Sequence, residues 1–260
     1  MFDNIIRKKT KGKKMCRILS VVSTFENPIS NFFLRKFVDY SMTDRILGYS
    51  HRDGWGVAWM ENDEFKVFRS TKPIWEELDK INGIKSNFFL IHARKATVGS
   101  VSYENTHPFY IDDVVFAHNG QVELNTYPQK YKPIGETDSE KFLDLILEFR
   151  DQLGDLKRAI MESLKYVRDF HAINFVLASL REKKVYVLNY YNRIDEPHNI
   201  HYTMYLHKND NELYVSSEPL ESNNWSPLSR EPFHPVMLEV SINNPNNFIR
   251  EELFVKARTS

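Results

Sequence analysis

The stretch MCRILSVV, residues 15–22, decides the fold class and carries the residue on which the chemistry turns. From Cys16 to Val22 it is apolar and rich in β-branched side chains, which reads as a buried strand. Working outward, Asn31 to Tyr40 places Phe32, Phe33, Leu34, Phe37 and Val38 at the spacing of a helix face. A hairpin follows, with Gly54 to Met60 and Phe65 to Arg69 flanking the polar turn 61–64. Ile74 to Ile81 reads as a short helix, Phe88 to His92 as a buried strand, and Val114 to Ala117 as another strand running into Asn119-Gly120. Thr137-Asp138-Ser139-Glu140 has capping-box spacing and opens a helix. A second helix is expected from about Asp155 to Val167. Beyond it the texture turns to strands: Ala172 to Ser179, Val185 to Tyr191, Tyr202 to Leu206, Leu213 to Ser217 and Val236 to Ile242. Many strands with a few helices set between them predict α+β layers.

Composition narrows the function. The 260 residues hold 35 Lys+Arg against 35 Asp+Glu, so a strongly basic nucleic-acid binder is excluded on net charge. One cysteine excludes a disulfide framework and a cysteine-based zinc site, and no apolar run reaches the roughly 18 residues of a membrane span. The chain is expected to fold in the cytoplasm. Neutrality hides an asymmetry, because residues 1–14, MFDNIIRKKTKGKK, carry six basic residues and one acidic. This segment lacks the apolar region of a secretory signal and reads as a basic leader or propeptide, residues 1–15, absent from the active form. Residues 16–260 are expected to form one domain.

A lone cysteine opening an apolar strand is ordinarily a small buried hydrophobe. Its neighbour changes that reading, because loss of Met15 would make Cys16 the first residue. A terminal cysteine has an α-amine of unperturbed pKa near 7.7 to 8, able to take the thiol's proton, so nucleophile and base belong to one residue. Four further constellations bear on the same chemistry. His51-Arg52-Asp53-Gly54-Trp55-Gly56 enters an aromatic strand. In His92-Ala93-Arg94-Lys95-Ala96-Thr97, an arginine at a strand end can either clamp a carboxylate or sit in a structural ion pair, and Thr97 adds a hydroxyl. Asn119-Gly120 is first of all a hairpin turn, yet an asparagine amide and a glycine N–H also make an oxyanion hole. Asp138 is not needed for the helix cap and could receive an ammonium. A thiol, an oxyanion pair, an arginine and an aspartate together describe a pocket for an α-amino acid with an acyl group to transfer.

The ordered set Met15-Cys16-Arg17, HRDGWG (51–56), HARKATVG (92–99), NTHPF (105–109), FAHNG (116–120) and GETDSE (135–140) resembles the class II glutamine amidotransferases, which are N-terminal-nucleophile hydrolases, in their small stand-alone form. Ser216-Ser217-Glu218-Pro219-Leu220 is similar to a later segment of that family. The resemblance implies a four-layer αββα sandwich. It implies Cys16 as nucleophile, with Asn119 and Gly120 as oxyanion hole. It further implies Arg94, Thr97 and His107 at the substrate carboxylate side and Asp138 at the ammonium, without cofactor or metal. Lys95 departs from the aromatic residue that several relatives carry there. The implied reaction hydrolyses glutamine, with ammonia passing to water or to a synthase on a separate chain. Two rivals stay open: the same pocket acting on other γ-glutamyl amides, and a non-catalytic scaffold subunit if the leader is retained. A metal-dependent hydrolase built on His92, His107 and His118 is a third class, without familiar ligand spacing to support it.

Overall fold

Strand β1, Arg17–Pro28, begins one residue after Cys16 and runs as the middle strand of a sheet, with neighbours on both edges. A computed structural model describes residues 15–192 and 198–254, so the basic leader lies outside the described residues. Chain order continues with helix α1 (Asn31–Met42), the hairpin β2 (Trp55–Glu61) and β3 (Glu64–Ser70), and strands β4 (Lys85–Ala93), β5 (Phe109–Ile111) and β6 (Val114–Leu124). Helices α2 (Asp138–Leu153) and α3 (Leu156–Leu164) precede β7 (Val167–Ser179), β8 (Lys184–Asn189), the short α4 (His198–Tyr202) and β9 (Tyr205–Lys208). Strands β10 (Glu212–Ser216), β11 (Ser226–Pro227), β12 (Val236–Ser241) and β13 (Asn244–Glu252) complete it.

The strands form two antiparallel sheets, one ordered β11-β9-β10-β1-β4-β2-β3 and the other β13-β12-β8-β7-β6-β5. Side-chain alternation explains the layering. Ile18 and Val22 of β1 point with Phe88 and Leu90 of β4 toward Val115, Ala117, Val176 and Val187 of the second sheet. Leu19 and Val21 take the opposite face and pack with Phe89 and Ile91 against Phe33, Leu34 and Phe37 of α1. On the far side, Phe116, Ile173 and Phe175 pack against Phe142, Ile146 and Ile160 of α2 and α3. Helix, sheet, sheet and helix follow in that order, the expected αββα sandwich. A strand covered on both faces must be apolar at successive positions, which is the physical content of MCRILSVV.

Local chemistry sets the boundaries. The β2–β3 turn closes on two residues, Asn62 (φ 53°) and Asp63 (φ 58°), tighter than the four-residue turn expected, because both tolerate the left-handed conformation such hairpins require. Thr137 caps α2 by accepting from the Glu140 N–H, and Gly154 (φ 70°) ends it. The Asp155 side chain caps α3. Three expectations shift: residues 74–81 form two short 3₁₀ turns, the second helix stops at Leu164, and Tyr202 ends α4 with β9 starting at Tyr205. The hairpin-turn reading of Asn119-Gly120 is corrected outright. Both residues lie within β6, opposite Asn174 and Ile173 of β7, because cross-strand pairing outweighs a local turn preference.

Candidate active site

The start of β1 and the end of β4 meet at Cys16. Its Sγ lies 3.3 Å from the Lys95 backbone N–H, which donates to it, and 3.6 Å from the Lys95 carbonyl. Burial pushes the thiol up to about 11, opposed by the Lys95 hydrogen bond and by the charges of Arg94 and Arg17. Lys95 is itself held by Asp53, whose Oδ2 receives the lysine Nζ at 3.1 Å and the Ala96 N–H at 2.9 Å. Asp53 of the HRDGWG stretch therefore fixes the loop beneath the sulfur. Met15 is buried beside this group, packed with Ala172, Tyr191 and Tyr202.

Arg94 does not sit in a structural ion pair among the described residues. Its Nη1 donates to the Ser100 carbonyl at 2.8 Å and its Nη2 to the Val98 carbonyl at 3.1 Å. Two of its five N–H groups are thus used to shape the loop, and three are left for another acceptor. Thr97 is exposed on that loop. The loop is tied further by Glu136, whose Oε2 accepts from the Ser100 N–H and from Asn105.

Asn119 reaches the nucleophile's strand through a shared hydroxyl. Its Nδ2 donates to Ser217 Oγ at 3.3 Å, and the Ile18 N–H donates to the same oxygen at 2.9 Å. One hydrogen of the Asn119 amide is left over. Gly120 is required by packing, because a Cβ there would lie 1.8 Å from the Ala172 carbonyl oxygen. Asp138, the first residue of α2, accepts the Val122 N–H at 2.8 Å. It lines a cavity of about 270 Å³ with Val98, Gln121, Glu123, Asp169 and Phe170.

His107 lies behind this arrangement. It is buried, with its ring centroid 4.4 Å from that of His92 and 4.3 Å from that of Phe109. Burial is the main cause that pushes His51 and His92 down to about 3 and His107 well below its usual range, so all three are neutral near pH 7. Beneath Cys16, Arg17 Nη2 is surrounded by His201 Nδ1 at 3.0 Å, Asp44 Oδ1 at 3.4 Å and Glu218 Oε2 at 3.5 Å. Asp44 also accepts the N–H groups of Ile46, Leu47 and Tyr49.

The structure thus gathers Cys16, Arg94 and Lys95 at one loop. It joins Asn119 to β1 through Ser217 and sets Asp138 across the cavity from Val98. The bridging role of Ser217, the anchoring role of Asp53 and the Arg17–Asp44–Glu218 cluster were not read from the sequence. Their visible signals were the motifs that contain them, Met15-Cys16-Arg17, HRDGWG (51–56) and the segment Ser216 to Leu220 far along the chain.

Residues 15–233 match the family model of the class-II glutamine amidotransferases. The chain is 35% identical over 149 residues to a provisionally named glutamine amidotransferase of Haemophilus influenzae, covering 50% of each chain. It is 40% identical over 104 residues to an uncharacterized protein of Methanocaldococcus jannaschii, covering 35% of this chain and 28% of the relative. The chain thus spans half or less of the length of these curated relatives. Among solved structures, the glutamine phosphoribosylpyrophosphate amidotransferase of B. subtilis, complexed with ADP and GMP, superposes with a TM-score of 0.62 at 18% identity, over 93% of this chain and 50% of that one. A glutamine aminotransferase class-II domain protein of Silicibacter pomeroyi gives 0.59 at 20% identity, over 92% and 99%. At these identities the structural likeness is one of fold.

Proposed function

The chain belongs to the class-II glutamine amidotransferases, and from that membership we propose that it hydrolyses the glutamine side-chain amide through a Cys16 γ-glutamyl thioester. One observation carries the reading: the Ile18 N–H and the Asn119 amide converge on Ser217 Oγ, which ties an oxyanion donor to the strand that presents the thiol. With residue 15 removed, the Cys16 α-amine takes the thiol proton and the sulfur attacks the amide carbon. A thiol held near 11 by burial needs such an adjacent base at neutral pH. The free hydrogen of Asn119 Nδ2 and the Gly120 N–H donate to the oxygen as it gains charge. The α-ammonium returns its proton to the departing nitrogen, ammonia leaves, and water then cleaves the thioester to glutamate.

Specificity follows from the same loops. The three unused N–H groups of Arg94 donate to the substrate carboxylate, Thr97 adds a hydroxyl from the exposed loop, and Asp138 accepts from the α-ammonium across the cavity it shares with Val98. His107 supports the wall from behind, stacked on His92. Residues 16–260 act as one glutaminase unit.

Two measurements test this. Cys16→Ala abolishes ammonia release from glutamine while the thermal unfolding curve stays cooperative. The intact mass of active protein places its first residue at Cys16, and full activity with residue 15 still attached would overturn the mechanism. Comparing ammonia release from glutamine with cleavage of γ-glutamyl peptides decides the leaving group.

A further inference from the structure

A second cavity, of about 450 Å³, opens on the other side of the α2 N-terminus and shares no lining residue with the cavity at Asp138. Its size suits a small organic ligand. Phe109, Tyr110 and Ile111 of β5 form one wall, and Tyr131 and Ile134 form another. Asp144 lines the cavity from α2. The residue is 1% exposed, and neither carboxyl oxygen has a hydrogen-bond partner among the described residues. A buried carboxyl without a donor is costly, and nothing in the fold of α2 requires one at a position flanked by Leu143 and Leu145. One turn earlier, Glu140 also lines the cavity, but its oxygens are filled by the N–H groups of Ile134 and Gly135. Asp144 is therefore the acceptor with free capacity, in a pocket with aromatic walls whose other charged lining residues are Glu104 and Glu140 against Arg69 and Lys132. Both features favour a cation, the carboxylate by charge and the rings by their electron-rich faces.

We propose that this cavity is a second ligand site, which binds a small primary amine with an aromatic or aliphatic body and receives its ammonium on Asp144. Burial, reinforced by the charge of Glu140, raises Asp144 to about 7, so the group is ionised at pH 8.

The test is calorimetric titration of the full chain at pH 8 with phenethylamine and with its neutral counterpart 2-phenylethanol. Phenethylamine is expected to bind one equivalent at least tenfold more tightly. Asp144→Asn, which keeps the shape of the side chain, removes that tenfold preference. Tyr110→Ala, at a half-exposed wall position, weakens both probes and keeps the question decidable should Asp144→Asn fail to fold. Saturating glutamine leaves phenethylamine binding unchanged, because the two cavities are separate. Equal affinity for the two probes, no saturable binding of phenethylamine, a preference that survives Asp144→Asn, or displacement by glutamine would each overturn the proposal.

Discussion

Ser217 is a single hydroxyl with two structural dependents, the Ile18 N–H at 2.9 Å and the Asn119 amide at 3.3 Å. Ser217→Ala leaves both buried donors without an acceptor, at a cost of about 1–3 kcal/mol in urea denaturation. Because Asn119 is then free to turn, we expect kcat for glutamine to fall roughly tenfold or more with little change in KM, the pattern of a donor that matters mainly in the transition state. Gly120 is constrained more severely. A methyl group there would sit 1.8 Å from the Ala172 oxygen and 2.6 Å from its carbonyl carbon, both backbone atoms of the paired strand. Neither can rotate aside, so Gly120→Ala must part β6 from β7, and we expect a loss of about 2–3 kcal/mol together with turnover.

Helix α2 shows how one element serves two purposes. Its N-cap, Thr137, holds the Glu140 N–H at 3.2 Å, which fixes the first turn and with it the direction of Asp138. Thr137→Ala is expected to cost about 1 kcal/mol in thermal or chemical unfolding. It should also raise KM for glutamine more than it lowers kcat, since Asp138 binds ammonium in the proposed reaction and takes no part in bond cleavage. Glu140 of the same capping box does not reach back to the cap residue's own N–H. It instead receives the N–H groups of Ile134 and Gly135, so the box anchors the incoming loop as well as the helix. That loop continues to Glu136, which holds Ser100 and thereby the segment to which Arg94 is bonded.

At the scale of the whole molecule, stability should fall with acid. His51 and His92 are pushed to about 3, below the 6.5 they have when unfolded, so between those values the unfolded chain binds more protons and stability is lost as pH drops. Each shift corresponds to at most about 5 kcal/mol, and His107 acts in the same direction. Asp144 acts in the opposite sense, since its folded value near 7 exceeds its unfolded one and its contribution is lost as pH rises from about 4 to 7, by at most about 4 kcal/mol. Three histidines outweigh one carboxyl. Urea midpoints should therefore decline from pH 7 to pH 4, and more steeply in Asp144→Asn, in which the opposing group is absent.

What the sequence determined by itself was local or ordered along the chain: the strand after Cys16, the capped start of α2 at Thr137, and a set of motifs whose order matched one family. These were legible because apolar succession, cap chemistry and motif order are properties of neighbouring residues. Tertiary structure alone decided that Asn119-Gly120 lies within a strand, that Arg94 spends two N–H groups on its own loop, and that Ser217 joins β1 to β6. It also left Asp144 unpaired beside a cavity. The strand placement and the Ser217 bridge depend on atoms distant in sequence brought within a few ångströms, and the Arg94 bonds, although they reach only four and six residues along the chain, depend on how the loop folds back; no periodicity or spacing encodes which partner a buried polar group will meet.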